Sequence, residues 1–332
     1  MYDRPRDPFD ERQVNFWIRR LAHAGITLAA VSLLAFSFLS LAPGDFVDQL
    51  RLDPRISEET LDAMRARFGL DRPFVQRYLG WASGVIDGSW GFSFAYGTDV
   101  APLIRSRLLN TLLLGVSATA LAWMCALPIG VYWALRRGVG SRWLGLVTSV
   151  AVAVPELVLA LTALVVASAT GWFPVGGMVT LGADELPFLA RLRDLLSHLV
   201  LPVAVVSIPT AAVLARHVRS AVEQVLEDNQ VLAARSLGLR SGTLLLHHLL
   251  RPAANPLIAV ASLSVASLLS GSFIVEVVMG WPGLGPLLLD AIRARDLHVV
   301  IGGVMCSAAL VVAGRLVGDI ALYLNDPRIT AR

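Results

Sequence analysis

Few residues of this sequence could do chemistry, and several of those lie inside long apolar runs. Glu156 directly follows Pro155 in a run of Val, Ala and Leu. A carboxylate in hydrocarbon costs a few kcal/mol on insertion scales, so such a group faces protein or water. Two roles are open for it: lining a path taken by a cationic solute, or pairing with an Arg or hydroxyl on a neighbouring helix. Arg315 and Asp319 stand at i and i+4 of the last apolar run, on one helical face, and are expected to form a mutual ion pair between helices. No catalytic set accompanies them. The six His are dispersed, and no His-Glu-x-x-His, Gly-x-Ser-x-Gly or Cys-x-x-Cys occurs. Cys125 and Cys306 fall inside apolar runs and suggest neither a disulfide nor a metal site. All 28 basic residues are Arg. A phosphate-cradling Walker A loop needs a Lys, so any ATP-driven work requires another subunit.

The elements that must position these groups are membrane helices. The chain has 332 residues, 55% hydrophobic and 16% charged, with mean hydropathy +0.65. That composition describes an all-α polytopic membrane protein. A polar, Arg-bearing segment 1–20 precedes a first span within 21–45, whose apolar part runs from Leu21 to Ala42. Residues 46–110 have mixed charge and several aromatics without a long apolar run. Within them Ser57 caps a helix, Gly69 stops it, and a second helix carries Phe74, Tyr78 and Trp81, expected to pack as a small cap. Val100, Leu103, Ile104 and Leu108 have the spacing of an amphipathic helix at the membrane interface. Five more runs follow within 111–325: Thr111–Leu135, Leu144–Ala169, His198–Ala215, Leu257–Val278 and Val299–Leu322, making six spans before a tail at 326–332. Arg is densest in segment 1–20, loop 136–142, stretch 227–256 and the tail, which places these on the cytoplasmic side and 46–110 outside. In the fifth run Ala259, Ser262, Ala266 and Ser270 recur at helical spacing, a small-residue face suited to close helix packing. The net charge of +3 fits basic loops at a lipid bilayer and gives no sign of nucleic acid.

The stretch Glu227–Pro256 is polar yet patterned. Asp228 or Asn229 can cap a short helix bearing Val231, Leu232 and Ala234; Gly238 can stop it; a second amphipathic turn, Thr243 to Leu250, ends at Arg251-Pro252. Two short helices joined at a glycine form a docking surface.

This stretch resembles the "EAA" cytoplasmic loop of permease subunits of ABC importers, with the spacing of the dipeptide/oligopeptide/nickel group. Ala234-Arg235 precede Gly238 by a few residues, His248 and Arg251 follow, and Pro256 opens the next span. The motif's Glu position is Leu232 here. Similar signals recur along the chain: Pro43-Gly44-Asp45; Gly69-Leu70-Asp71 with Pro73, Gln76 and Tyr78; Gly88, Gly91 and Ser93; Trp281-Pro282-Gly283-Leu284-Gly285; and Asp326-Pro327-Arg328. The resemblance implies the type I ABC importer permease fold in a bacterial or archaeal cytoplasmic membrane. It implies a coupling helix in which Val231, Leu232, Ala233, Ala234, Arg235 and Gly238 meet a separate ATPase, and an external turn at Trp281, Pro282, Gly283 and Gly285. The implied partners are a second homologous permease, one or two ATPase subunits that bind ATP and Mg, and an extracytoplasmic binding protein. The chain would hold no cofactor and catalyse nothing itself. The implied solute is a di- or oligopeptide; related permeases carry nickel, opines or oligosaccharides. A self-contained secondary transporter or channel would need internal repeats or paired broken helices, and no repeat is visible.

Overall fold

A chain in hydrocarbon has to close its own backbone hydrogen bonds, and the apolar runs of this protein do so as helices. The computed structural model describes residues 11–41, 44, 46–51, 56–69, 71–136, 138–228, 231, 236, 241–243 and 249–325. In order they form α1 (Glu11–Leu41), α2 (Phe46–Leu50), α3 (Glu58–Phe68), α4 (Phe74–Ile86), strands β1 (Phe92–Ser93) and β2 (Thr98–Asp99), α5 (Val100–Leu135), α6 (Val139–Ala153), α7 (Glu156–Thr170), α8 (Phe188–Leu226), a turn at Ser241–Thr243, α9 (Arg251–Val278), α10 (Leu284–Arg293) and α11 (Leu297–Asn325). Two compact units result, one of Met1–Ala22, Leu113–Trp281 and Val311–Arg332, the other of His23–Leu112 and Pro282–Leu310.

Among the described residues, four helical stretches are long and apolar enough to cross a membrane: Asn15–Asp48, Val100–Leu135, Phe188–Leu226 and Leu297–Asn325. The bent pair α6–α7 makes five if counted as one span. α9 covers the expected fifth run and begins earlier, with Pro252 accommodated in its first turn. Three expectations change. The run Leu144–Ala169 is two helices bent by 92°. The run His198–Ala215 is the middle of a 39-residue helix that continues through Pro202 and Pro209. The separate interfacial helix is the first part of α5, where Val100 and Ile104 are fully buried instead of facing lipid.

In the first unit α8 packs against α6, α7 and α9, and α7 also touches α9. Its core joins Leu114, Ala118, Ala160, Val203, Val206, Val275 and Trp281. Small residues set the helix separations. A Cβ on Gly130 would lie 2.7 Å from the Ala215 carbonyl, and one on Gly318 would lie 2.1 Å from Ser262 Cβ. α9 and α11 therefore touch where both side chains are small, as the fifth-run pattern suggests; the side chains of Ala266 and Ser270 lie outside the description. Asp319, whose side chain is 12% exposed, pairs with Arg20 of α1 at 3.0 Å. The expected Arg315–Asp319 pair gives way to this contact, because Arg315 faces outward on α11.

The second unit is built around aromatic residues. Ser57 caps α3 by accepting the Thr60 N–H at 3.3 Å, and Gly69 ends it in the left-handed region at φ 63°. From α4, Phe74, Tyr78 and Trp81 gather on Phe36 of α1 with ring centroids 5.5, 5.6 and 6.1 Å away. They form the small cap that the sequence indicates. The buried carboxylate of Asp296 accepts from Ser93 Oγ at 2.6 Å and the Ala95 N–H at 3.1 Å, which fixes the hairpin.

Asp319 is the buried partner of this ion pair while the Arg20 side chain is 45% exposed, so removing Arg20 leaves a poorly solvated carboxylate without compensation. Arg20→Gln and Asp319→Asn are each expected to lower stability in detergent by on the order of 1 kcal/mol or more. Arg315→Gln should stay within about 0.5 kcal/mol of the parent. Thermal unfolding of the three variants distinguishes them; equal loss at Arg315 would restore the i,i+4 pair.

Candidate functional site

The break between α6 and α7 is the feature around which a site can be built. Proline has no N–H, so the Ala151 carbonyl receives no helical bond from Pro155. The residue before proline is pushed out of the helical region, and Val154 is extended at φ −76°, ψ 121°. The chain restarts at Glu156, where Val158 and Leu159 donate to the Pro155 carbonyl at 2.9 and 3.1 Å. The first N–H groups of α7 and the last carbonyls of α6 are thus without intrahelical partners. At membrane depth such backbone is tolerated only where protein buries it or water lines it.

Glu156 stands at that restart, half-buried, in the first turn of α7 where the helix dipole favours an anion. Among the described residues no hydrogen-bond or ion-pair partner for it is found. On the α6–α8 seam Arg216 is committed to hydroxyls, donating to Thr148 Oγ1 at 3.3 Å and Ser149 Oγ at 2.8 Å.

A second feature lies at the foot of α8. Arg136, Arg142, Arg219, Glu223 and Glu227 line a cleft of about 790 Å³. Arg219 bonds Glu223 at 2.8 Å and lies over the Trp133 ring at 4.5 Å, while Trp133 Nε1 donates to Ser141 Oγ at 2.9 Å. These contacts brace the point from which Glu227–Pro256 leaves α8. Of the residues expected to couple, Val231 is helical and 1% exposed. Its side chain is taken up within the chain, whereas the sequence reading put it on the presented face. Leu232, Ala233, Ala234, Arg235 and Gly238 lie outside the described residues.

The Trp281–Gly285 turn makes separate contacts within each unit. Gly280 turns at φ 66°, the Trp281 N–H donates to the Glu276 carbonyl at 2.9 Å, and Trp281 is fully buried in the first unit. In the second unit Asn110 Nδ2 donates to the Pro282 carbonyl at 2.8 Å. Gly283 precedes α10 and has no side chain to cap it, and the Leu284 N–H is taken by Thr111 Oγ1 at 2.8 Å. Gly283 and Gly285 are both buried. Asn110 and Thr111 carried no sequence signal beyond two polar residues beside an apolar run.

Two family models cover most of the chain. Residues 126–331 match the binding-protein-dependent transport system inner membrane component, and residues 13–115 match the N-terminal domain of such a component. The chain belongs to this family. It is a multi-pass permease subunit of an ABC importer, which sets aside the self-contained transporter. The permease is similar to the oligopeptide transport system permease protein AppB of Bacillus subtilis (strain 168), with 36% identity over 94% of this chain and 98% of that protein. It is also similar to the dipeptide transport system permease protein DppB of Escherichia coli (strain K12), with 30% identity over 95% and 98%. The fold of the permease matches a solved structure of the MetNI methionine ABC transporter in inward-facing conformations at TM-score 0.54 and 16% identity, over 67% of this chain and 96% of that one.

The bend gives a distance test. Spin labels at Gly140 and Thr170 should lie about 32 Å apart across two helical legs at right angles, against about 45 Å for one straight helix at 1.5 Å per residue. A distribution centred on the longer value would restore the unbroken third span.

Proposed function

We propose that this permease carries di- or oligopeptides inward, forming half of a translocation path with a second homologous permease. It spans the membrane six times, with both termini and the 227–256 loop cytoplasmic and 46–110 outside. The loop couples it to one or two ATPase subunits that bind ATP and Mg, so the chain is not itself an enzyme. An extracytoplasmic binding protein delivers the solute. The observation that carries the substrate class is full-length similarity to permeases named for oligopeptides and dipeptides. The peptide's N-terminal ammonium is the cation that Glu156 would meet. The test is ATP hydrolysis by the purified complex in proteoliposomes. Di- and tripeptides should stimulate it; stimulation only by nickel, an opine or an oligosaccharide would replace the substrate class.

Two variants separate path from coupling. Glu156→Gln keeps the shape and removes the charge. It should lower peptide uptake roughly tenfold, the equivalent of about 1.4 kcal/mol, with assembly and basal hydrolysis intact. A variant that fails to assemble would assign Glu156 to packing instead. If Gly238 ends a coupling helix in the left-handed region, other residues would carry a Cβ penalty of about 1–2 kcal/mol there. Gly238→Val should therefore leave membrane insertion unchanged while abolishing peptide-stimulated hydrolysis. Wild-type stimulation, or no crosslink from a cysteine at Ala233 to an ATPase subunit, would remove the coupling role.

A further inference from the structure

A cleft of about 280 Å³ lies within the second unit, between the end of α1, α4, the turn before β1 and the start of α11. Four glycines on its wall keep it open, and two of them show how. A Cβ on Gly80 would meet nothing within 4 Å, so the space above α4 is clear. Gly91, at φ 91°, lets the His298 ring approach so closely that a Cβ there would sit 2.6 Å from the imidazole.

Three of the polar side chains around this space, Arg72, Arg77 and Trp81, can only donate. Arg72 and Arg77 line it, and Arg77 is steered by the Phe36 ring, with its guanidinium carbon 5.9 Å from the centroid. Gln76, Ser89, Trp81 and His298 complete the polar wall, and no carboxylate is among the described lining residues. Asp296, on the same turn as His298, is occupied by Ser93 and Ala95. One wall residue carries a buried donor for which no partner is found among the described residues: Trp81 Nε1, which can only donate. An unsatisfied buried donor costs about 1–3 kcal/mol. Two fixed positive charges and an unpartnered indole N–H suit a guest with several acceptor oxygens and negative charge.

The surroundings suit an amphiphile. Phe36 lies five residues before the end of α1 and His298 at the second residue of α11, so the cleft lies at one end of two apolar helices, at head-group height. Beside it on α4, Val75, Leu79 and Ile86 form a stripe exposed by 61%, 59% and 87%. An acyl chain could lie along that stripe with its phosphate in the cleft.

We infer that this cleft is a phosphate-oxyanion site, filled by the head group of an anionic phospholipid or by free phosphate. Its occupant ties α4 to the ends of α1 and α11. It is independent of the peptide path and of the coupling loop.

The test uses the full chain co-purified with its partner subunits. Native mass spectrometry after detergent exchange reads retained phosphatidylglycerol. A titration with inorganic phosphate reads the fluorescence difference between wild type and Trp81→Phe. Arg72→Gln/Arg77→Gln removes the charge, and Gly80→Leu fills the space with the charges intact. A lipid site predicts that both variants lose retention roughly tenfold, whereas Arg315→Gln keeps it. A phosphate-dependent Trp81 signal that both variants lose, with no retained lipid, assigns free phosphate as the source. Wild-type retention in both variants together with no Trp81 signal overturns the site. If the double variant fails to assemble, Gly80→Leu alone decides on the same readouts.

Discussion

In hydrocarbon each unsatisfied backbone N–H or C=O costs several kcal/mol, and this one constraint organises the permease. It makes the apolar runs helical, and it makes any interruption of a helix a place that needs special surroundings. Pro202 and Pro209 sit inside α8 without breaking it. Pro155 does break its run, because Val154 leaves the helical region and the chain turns by 92°. The difference lies in packing. α8 packs against α6, α7 and α9 along its length, while the 154–155 junction hands the chain from one partner surface of α8 to another. The backbone groups freed there, with Glu156 among them, make a polar spot in an otherwise apolar bundle.

Charge follows the same logic. Several ionisable groups of the first unit are matched by partners among the described residues. Asp319 is met by Arg20 across helices, Arg216 by two hydroxyls of α6, and Arg219 by Glu223 and the Trp133 face. Guanidinium suits these places because its planar fork satisfies several acceptors and its stem packs on apolar surface. Against that background a half-buried carboxylate with no such match stands out.

Sequence reading reached the helices, the cap at Ser57 and the stop at Gly69, because each depends on residues within one or two turns. It reached the small-residue contact of α9 for the same reason. It failed where the deciding atom is far along the chain. Asp319 chose Arg20 over Arg315, although four residues on a helix is the nearer separation, since rotation of α11 points Arg315 outward. Thr111 caps α10 from 173 positions away. Val100 and Ile104 read as an interfacial stripe, but their apolar face meets Leu284, Leu287 and Val299. The periodicity announced an apolar face and could not name what covers it.

The complete absence of Lys reaches beyond nucleotide binding. A guanidinium stays protonated at any pH a cell meets, so the arginines of the basic loops keep their charge in acid and alkaline surroundings. Acetylation, ubiquitination and other acylations of side-chain amines have no target here. Amine-directed reagents applied to an assembled transporter would therefore mark the side chains of the neighbouring subunits and leave those of this one untouched.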